Sequence, residues 1–146
     1  MKFEEYDGRE VLVHRKDATR GFDPGSEELP ERYRSVGQPV LVEGDMGRYS
    51  FILAGTEGAM SETFGSSAHG AGRKMDRRQA KRVTKARKLK RELEDKGILI
   101  RAASKATLDE ETSEACKDAT EAIATTDGAG IGKKVARLRP LIVVKG

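Results

Sequence analysis

The 146-residue chain has no tryptophan, one cysteine and two histidines. A single cysteine excludes an internal disulfide and fits a reducing compartment. Cys116, His14 and His69 lie far apart in sequence. They cannot complete a structural zinc site, which takes four Cys or His ligands. Aromatics are 5% of the chain and hydrophobic residues 36%, so the core is thin. That composition suits a small domain folding alone, and equally a piece that buries surface against a partner. No leader-like segment and no long apolar run occurs, so the chain reads as soluble and cytoplasmic. There is no internal repeat and no low-complexity segment.

What the chain has instead is charge. Charged residues make up 36% and the net charge is +4. Eleven Lys or Arg fall within residues 73–91, with Asp76 the one acid among them. Residues 109–121 are acidic by contrast. A one-sided basic face suits a polyanion better than a membrane, and a phosphate backbone would offset its self-repulsion. A solvated helix face is the plain alternative. Stacking aromatics are nearly absent there, so contact with a nucleic-acid backbone is expected rather than base readout.

The pattern predicts an α+β fold, one region over 1–146, with strands and helices mixed but not in regular alternation. Residues 1–7 show no period. Residues 9–16 read as a strand and 17–36 as a long loop. Residues 38–42 and 49–54 read as two strands of a hairpin around a turn at 44–48. A short helix at 56–64 has Thr56 as its N-cap. A longer helix is expected over 76–95, ended by Gly97, with Ala80, Val83, Ala86, Leu89 and Leu93 as its apolar stripe. Residues 98–102 read as a strand. Residues 108–126 read as a helix with Ala115, Ala119 and Ala122 on one face and Cys116 as a small core residue. Residues 135–144 are strand-like, interrupted by Pro140.

The stretch Gly65-Ser-Ser-Ala-His-Gly-Ala-Gly-Arg-Lys74 carries the chemistry. Gly65-x₄-Gly70 has half a P-loop spacing, but Ala71-Gly72 stands where Lys-Ser/Thr is required. Gly70-x-Gly72 and Gly128-x-Gly130-x-Gly132 both miss the dinucleotide spacing. The backbone logic survives: Gly70 and Gly72 let successive N–H groups converge on an anion, with Arg73 and Lys74 adding charge. His69 then faces a phosphate, and a neutral imidazole can attack phosphorus. A histidine satisfied in a surface loop is the alternative. His14, in an apolar strand, is read as packed and is given no catalytic role.

Seven segments together resemble the C-terminal part of the RtcB family of tRNA-splicing RNA ligases: HRKDATRGF at 14–22, ERYR at 31–34, VGQPVLVEGDMG at 36–47, GTEGAMSETFGSSAHGAGR at 55–73, GILIRAASK at 97–105, DGAGIGKKVARLRPL at 127–141 and VVKG at 143–146. The resemblance implies an enzyme that joins RNA 3′-phosphate or 2′,3′-cyclic phosphate ends to 5′-hydroxyl ends, using GTP and manganese. It implies that His69 is the residue guanylated. It implies a guanylate-contacting turn at Glu43, Gly44, Asp45 and Met46, with Ser50 following, and further contacts from Gly70, Ala71, Gly72 and the penultimate Lys145. It implies that Lys16, Arg73 and Arg77 hold RNA phosphates. RNA is the implied partner, with an archease-type activator protein as another. Glu43 stands where proline is usual, Asp17 where glycine is common, and Cys116 where a tyrosine is expected.

Family members are more than twice this long, and their manganese ligands lie in an N-terminal portion that this sequence lacks. No metal ligand is therefore assigned here. The expectation is a fragment, split half or truncated copy, inactive in ligation without that portion in trans. A non-catalytic RNA-binding fragment is the alternative.

Overall fold

The computed structural model describes residues 1–85 and 88–145. Its first element is one the sequence pattern conceals. Strand β1 (Lys2–Tyr6) pairs antiparallel with β2 (Arg9–Val13), Tyr6 opposite Arg9. Asp7 and Gly8 between them both take positive φ, 51° and 70°. That is the turn whose twist matches paired strands, and Asp-Gly is its sequence signature. The predicted 17–36 loop also carries two short elements, β3 (Ala18–Arg20) and α1 (Glu31–Arg34). His14, expected to be packed, stands exposed just past the end of β2, because this strand belongs to a two-stranded ribbon with no sheet beyond it.

The predicted central hairpin forms from β4 (Pro39–Val42) and β5 (Ser50–Ala54), with Val42 opposite Phe51. α2 (Glu57–Thr63) follows, its first turn capped by Thr56, whose side chain accepts from the Ala59 N–H. β6 (Ser66–Ala68) returns antiparallel against β3, Ala18 opposite Ala68. This pairing delivers His69 to the end of a strand.

The long helix expected over 76–95 is two helices. α3 (Arg77–Thr84) starts on an Asp76 cap that accepts from the Gln79 N–H, and α4 (Leu89–Asp95) starts after a non-helical Lys88. α3 buries Ala80 and Thr84, while Val83, predicted to face inward, is exposed. Ala86 of the predicted stripe lies outside the described residues. The two halves serve different partners, α3 lying against α5 (Lys105–Glu110) and α4 against β7 (Leu99–Ala102). One straight helix would not reach both.

The helix expected over 108–126 also divides. α5 ends at Glu110, a 3₁₀ turn covers Ser113–Ala115, and α6 (Ala119–Gly128) starts on Asp118, whose carboxylate accepts from the Thr120 N–H. Cys116 lies in the extended stretch between them, half-buried, rather than on a helix face. Arg48 ties this stretch down: its guanidinium donates to the carbonyls of Ser113, Cys116 and Lys117 at 2.7, 3.0 and 3.2 Å.

The chain closes with β8 (Lys133–Leu138), antiparallel to β5, and β9 (Ile142–Lys145), parallel to β7. Pro140 sits between them, as expected of a residue with no N–H to give a ladder. The fold is α+β. One core cluster joins Val40, Val42, Phe51 and Leu53 to Ala119 and Ile123 of α6. A second joins Met46 to Leu89, Leu93, Ile98, Ile100 and Leu108. Each fully buried Val, Leu, Ile or Phe contributes about 1.5–3 kcal/mol.

The opposite face of the sheet is apolar and open. Leu41, Ile52 and Ala136 lie side by side in register; Leu41 and Leu138 are exposed, as are Ile142 and Val144 of β9, which pairs with β7 rather than with this sheet. Contiguous apolar surface of this kind marks a contact surface. No helix among the described residues is long and apolar enough to cross a membrane.

Candidate active site

His69 is exposed at the end of β6, with β4 on one side and the 115–117 segment on the other. Its carbonyl accepts from the Glu43 N–H at 3.3 Å, and Gly70 bridges Glu43 in parallel fashion. Further along, the Gly72 carbonyl accepts from the Lys117 N–H at 3.0 Å, and the Lys74 N–H donates to the Ala115 carbonyl at 2.7 Å. The loop is thus stitched on both sides. Gly72 takes φ +77° with nothing near where a Cβ would be. Its requirement is conformational, not spatial.

A cavity of about 230 Å³ opens along this loop. His69, Gly70, Ala71, Gly72, Arg73 and Arg77 line it, joined by Glu43 and Gly44. A second cavity of about 410 Å³ is lined by Glu43, Gly44, Asp45, Met46, Ser50 and Lys145. The two share the Glu43-Gly44 edge. Every predicted site residue except Lys16 touches one of them. The larger has the volume of a small-ligand site.

The shared edge is built by steric necessity. A Cβ on Gly44 would lie 2.0 Å from the Tyr49 carbonyl oxygen, so only glycine lets the turn close. The Gly44 N–H donates to the Ser50 hydroxyl at 3.1 Å. The Asp45 side chain is buried, and its carboxylate accepts from the Gly47 N–H at 3.0 Å, from Arg48 and from the Ser113 hydroxyl. Met46 anchors in the second core cluster. Gly44, Asp45 and Met46 therefore hold the cavity wall in place.

The cations divide into engaged and available. Arg73 donates to the Met75 carbonyl at 3.1 Å, the Glu110 carbonyl at 2.6 Å and the Glu111 carboxylate at 3.2 Å. Arg77 is 70% exposed and only loosely paired with Glu110 at 3.5 Å. Lys81 pairs with the same Glu110 at 2.5 Å, and this ammonium, more than the neighbouring arginines, holds the Glu110 carboxyl below its usual range. The acidic 109–121 stretch thus answers part of the basic run from within the fold.

Lys16 lines neither cavity, but it is nearby. Its ammonium bonds the Asp17 carboxylate at 2.7 Å. That contact holds the Asp17 carboxyl below its usual range. Asp17 precedes Ala18, whose partner Ala68 precedes His69. Asp17 takes φ +57°, a conformation that suits glycine better. Cys116 lines the His69 cavity, and burial pushes its thiol pKa up, so it is a poor nucleophile at neutral pH. Glu111 and Lys117 line the His69 cavity, and Arg48 braces it through Asp45 and the 113–117 carbonyls; none was legible in the sequence, since only long-range contacts bring them there. Among the described residues no three His, Cys, Asp or Glu side chains gather into a metal-ligand set.

The sequence model of the family described as tRNA-splicing ligase RtcB matches residues 1–146. The chain is 54% identical to a tRNA-splicing ligase RtcB of Archaeoglobus fulgidus, over 99% of this chain and 31% of that protein. It is 51% identical to the one of Pyrococcus horikoshii, over 97% of this chain and 16% of that protein. It is 49% identical to the one of Thermococcus kodakarensis, over 97% of this chain and 30% of that protein. The chain belongs to the RtcB ligase family. It spans about a third or less of the length of these curated relatives.

Proposed function

We propose that this chain is the guanylate-bearing portion of a GTP-dependent ligase that joins RNA 3′-phosphate or 2′,3′-cyclic phosphate ends to 5′-hydroxyl ends. The observation that carries this reading is the placement of His69. It sits on a small, cation-lined cavity that continues, across Gly44, into a nucleotide-sized cavity ending at Lys145.

GTP is a substrate in this reading. A lone pair of the His69 imidazole attacks the α-phosphorus. A P–N bond forms, the bridging P–O bond breaks and pyrophosphate leaves with the electron pair. A 2′,3′-cyclic phosphate is first opened by water, whose oxygen adds to phosphorus as the P–O2′ bond breaks and O2′ takes a proton, leaving a 3′-phosphate; an oxygen of the RNA 3′-phosphate then attacks the guanylate phosphorus and frees the imidazole. Finally the 5′-hydroxyl oxygen attacks the 3′-phosphorus, GMP leaves, and the hydroxyl proton goes to solvent. The Gly70-Ala71-Gly72 backbone lets phosphate come close. Arg77, exposed and loosely paired, meets developing charge, while Arg73 fixes the loop to α5. Lys145 donates to the guanine carbonyl, which favours GTP over ATP, and the Ser50 hydroxyl holds the cavity edge. Lys16 reaches RNA phosphate once freed from Asp17.

Manganese is implied by the family resemblance, but the described residues offer no ligand set for it, so no step is derived through a metal. Its ligands, and the surface that covers the open apolar sheet face, are assigned to an N-terminal ligase portion acting in trans or in the same protein. The test mixes the chain with that portion, manganese and α-labelled GTP. Label should bind the chain covalently, vanish in His69→Ala, and chase into RNA bearing a 3′-phosphate. Label that survives His69→Ala would contradict the proposal.

A further inference from the structure

The basic run is broken in two by the fold, and only its first half reaches His69. Its second half lines a different cavity, of about 630 Å³, between α4, β7 and α5. Lys88, Lys90 and Arg91 come from the α4 side, and Arg101 and Lys105 from the strand and α5. One acid, Glu94, lines it with them. Lys90 is held by Glu94 at 3.7 Å and Lys105 by Asp109 at 3.0 Å. Among the described residues no ion pair ties down Lys88, Arg91 or Arg101, and all three are exposed.

The floor is apolar: Leu89, Ile100 and Leu108 are buried at 6%, 1% and 6% exposure. Five cations against one acid, over a low-dielectric wall, concentrate the field on an incoming anion. No aromatic side chain lines the cavity, so bases find no stacking platform. The chemistry recognised is phosphate, independent of sequence.

Its position relative to His69 decides the ligand. α5 connects the two cavities. Lys105 opens α5 in the basic cavity, while Glu110 closes it under Arg77, and Glu111 lines the His69 cavity. Six helical residues span about 9 Å. The two cavities are therefore about one short helix apart.

Resting on the ligase reading above, we propose that this cavity is a second RNA-backbone site. It grips phosphates of the RNA away from the end being joined and so holds the strand while its terminus reacts. Neither Arg91 nor Arg101 touches the His69 or Lys145 cavity.

The experiment measures binding of a short fluorescein-labelled single-stranded RNA to the full chain by anisotropy, from ~50 to ~200 mM salt. Arg91→Ala/Arg101→Ala should weaken binding about tenfold at the lower salt. Its log–log salt slope should be shallower by about 1.4, at about 0.7 for each of the two phosphates no longer neutralised. Arg91→Lys/Arg101→Lys should restore most of the affinity, and near-equal thermal melts show that the fold is intact. Guanylation by GTP, measured with the N-terminal portion present, should be unchanged in the alanine pair. RNA affinity and salt slope unaltered by that pair overturn the proposal. So does a pair that loses binding of inorganic pyrophosphate while RNA binds as before, since the cavity would then serve a small anion. If guanylation fails for every variant while RNA binding still needs Arg91 and Arg101, the catalytic reading falls and this site stands.

Discussion

Removing the Glu4 carboxylate should cost this protein part of its acid-dependent stability. Glu4 is only 7% exposed, in the middle of β1. Arg15 grips it with two parallel bonds of 2.7 Å each, and the Tyr6 hydroxyl donates to it at 2.6 Å. Arg15 also donates to the Phe64 carbonyl at 2.7 Å and the Ser66 hydroxyl at 2.9 Å. The network therefore ties the first hairpin to the turn that launches β6 and His69. The Arg15 guanidinium, more than the Tyr6 hydroxyl, holds the Glu4 carboxyl down at about 2 from an ordinary 4.5, against the opposing effect of burial. At 1.36 kcal/mol per pH unit, that drop is worth about 3 kcal/mol. Because the folded pKa is the lower one, the contribution is complete above about pH 4.5 and is lost as pH falls toward 2. Urea unfolding of the native chain, followed by circular dichroism at a series of pH values, should show this loss. Glu4→Gln should already be destabilised by about 3 kcal/mol at neutral pH, in line with breaking one side of a buried pair. It should also lose about 3 kcal/mol less than the native chain between pH 5 and 2. Other lowered carboxylates, among them Asp17 and Glu110, titrate in both proteins and cancel in the difference. Parallel stability–pH curves for the two proteins would refute the reasoning.

Three further outcomes follow from single side chains. Burial, then the bond to Glu4, pushes the Tyr6 phenol up to about 12. Spectrophotometric titration should therefore show a tyrosine step near pH 12, and this late step should move down in Glu4→Gln. Gly44→Ala places a methyl against the Tyr49 carbonyl oxygen; the strain should destabilise the chain by about 2 kcal/mol or more, read by thermal melting, and an unchanged melt would contradict the built edge. Cys116, with its thiol raised by burial, should be alkylated by iodoacetamide more slowly than free cysteine at pH 8, and should speed up in urea.

Local signals served the sequence reading well wherever one residue decides a boundary. The Thr56 cap, the stop at Gly97, the break at Pro140 and the hairpin of β4 and β5 all follow from near neighbours. The reading failed where tertiary contacts outweigh local periodicity. The apolar period runs on past Thr84, yet α3 and α4 part because one follows Glu110 and the other the β7 face. The 108–126 pattern is helical in composition, but Arg48 ties down the carbonyls in its middle. β1 carries charges at three of its five positions and shows no hydrophobic alternation, and the Asp7-Gly8 signature alone betrays the hairpin. At the site, the Gly-rich stretch was visible because its motif is contiguous, whereas Lys145 entered only through the family resemblance. Glu111, Lys117 and Arg48 were not, since each arrives from a distant segment. The basic run was legible as charge, but its division between two cavities required the break after α3.

The central claim is that the imidazole of His69 carries the guanylate. It is tested most directly by digesting the chain after reaction with GTP, manganese and the N-terminal portion, and sequencing the peptides by mass spectrometry. The claim predicts a guanylate on His69 that acid removes and mild base leaves, as a phosphorus–nitrogen bond requires. A guanylate found on Lys145, Lys16 or any other residue, with His69 unmodified, would contradict it.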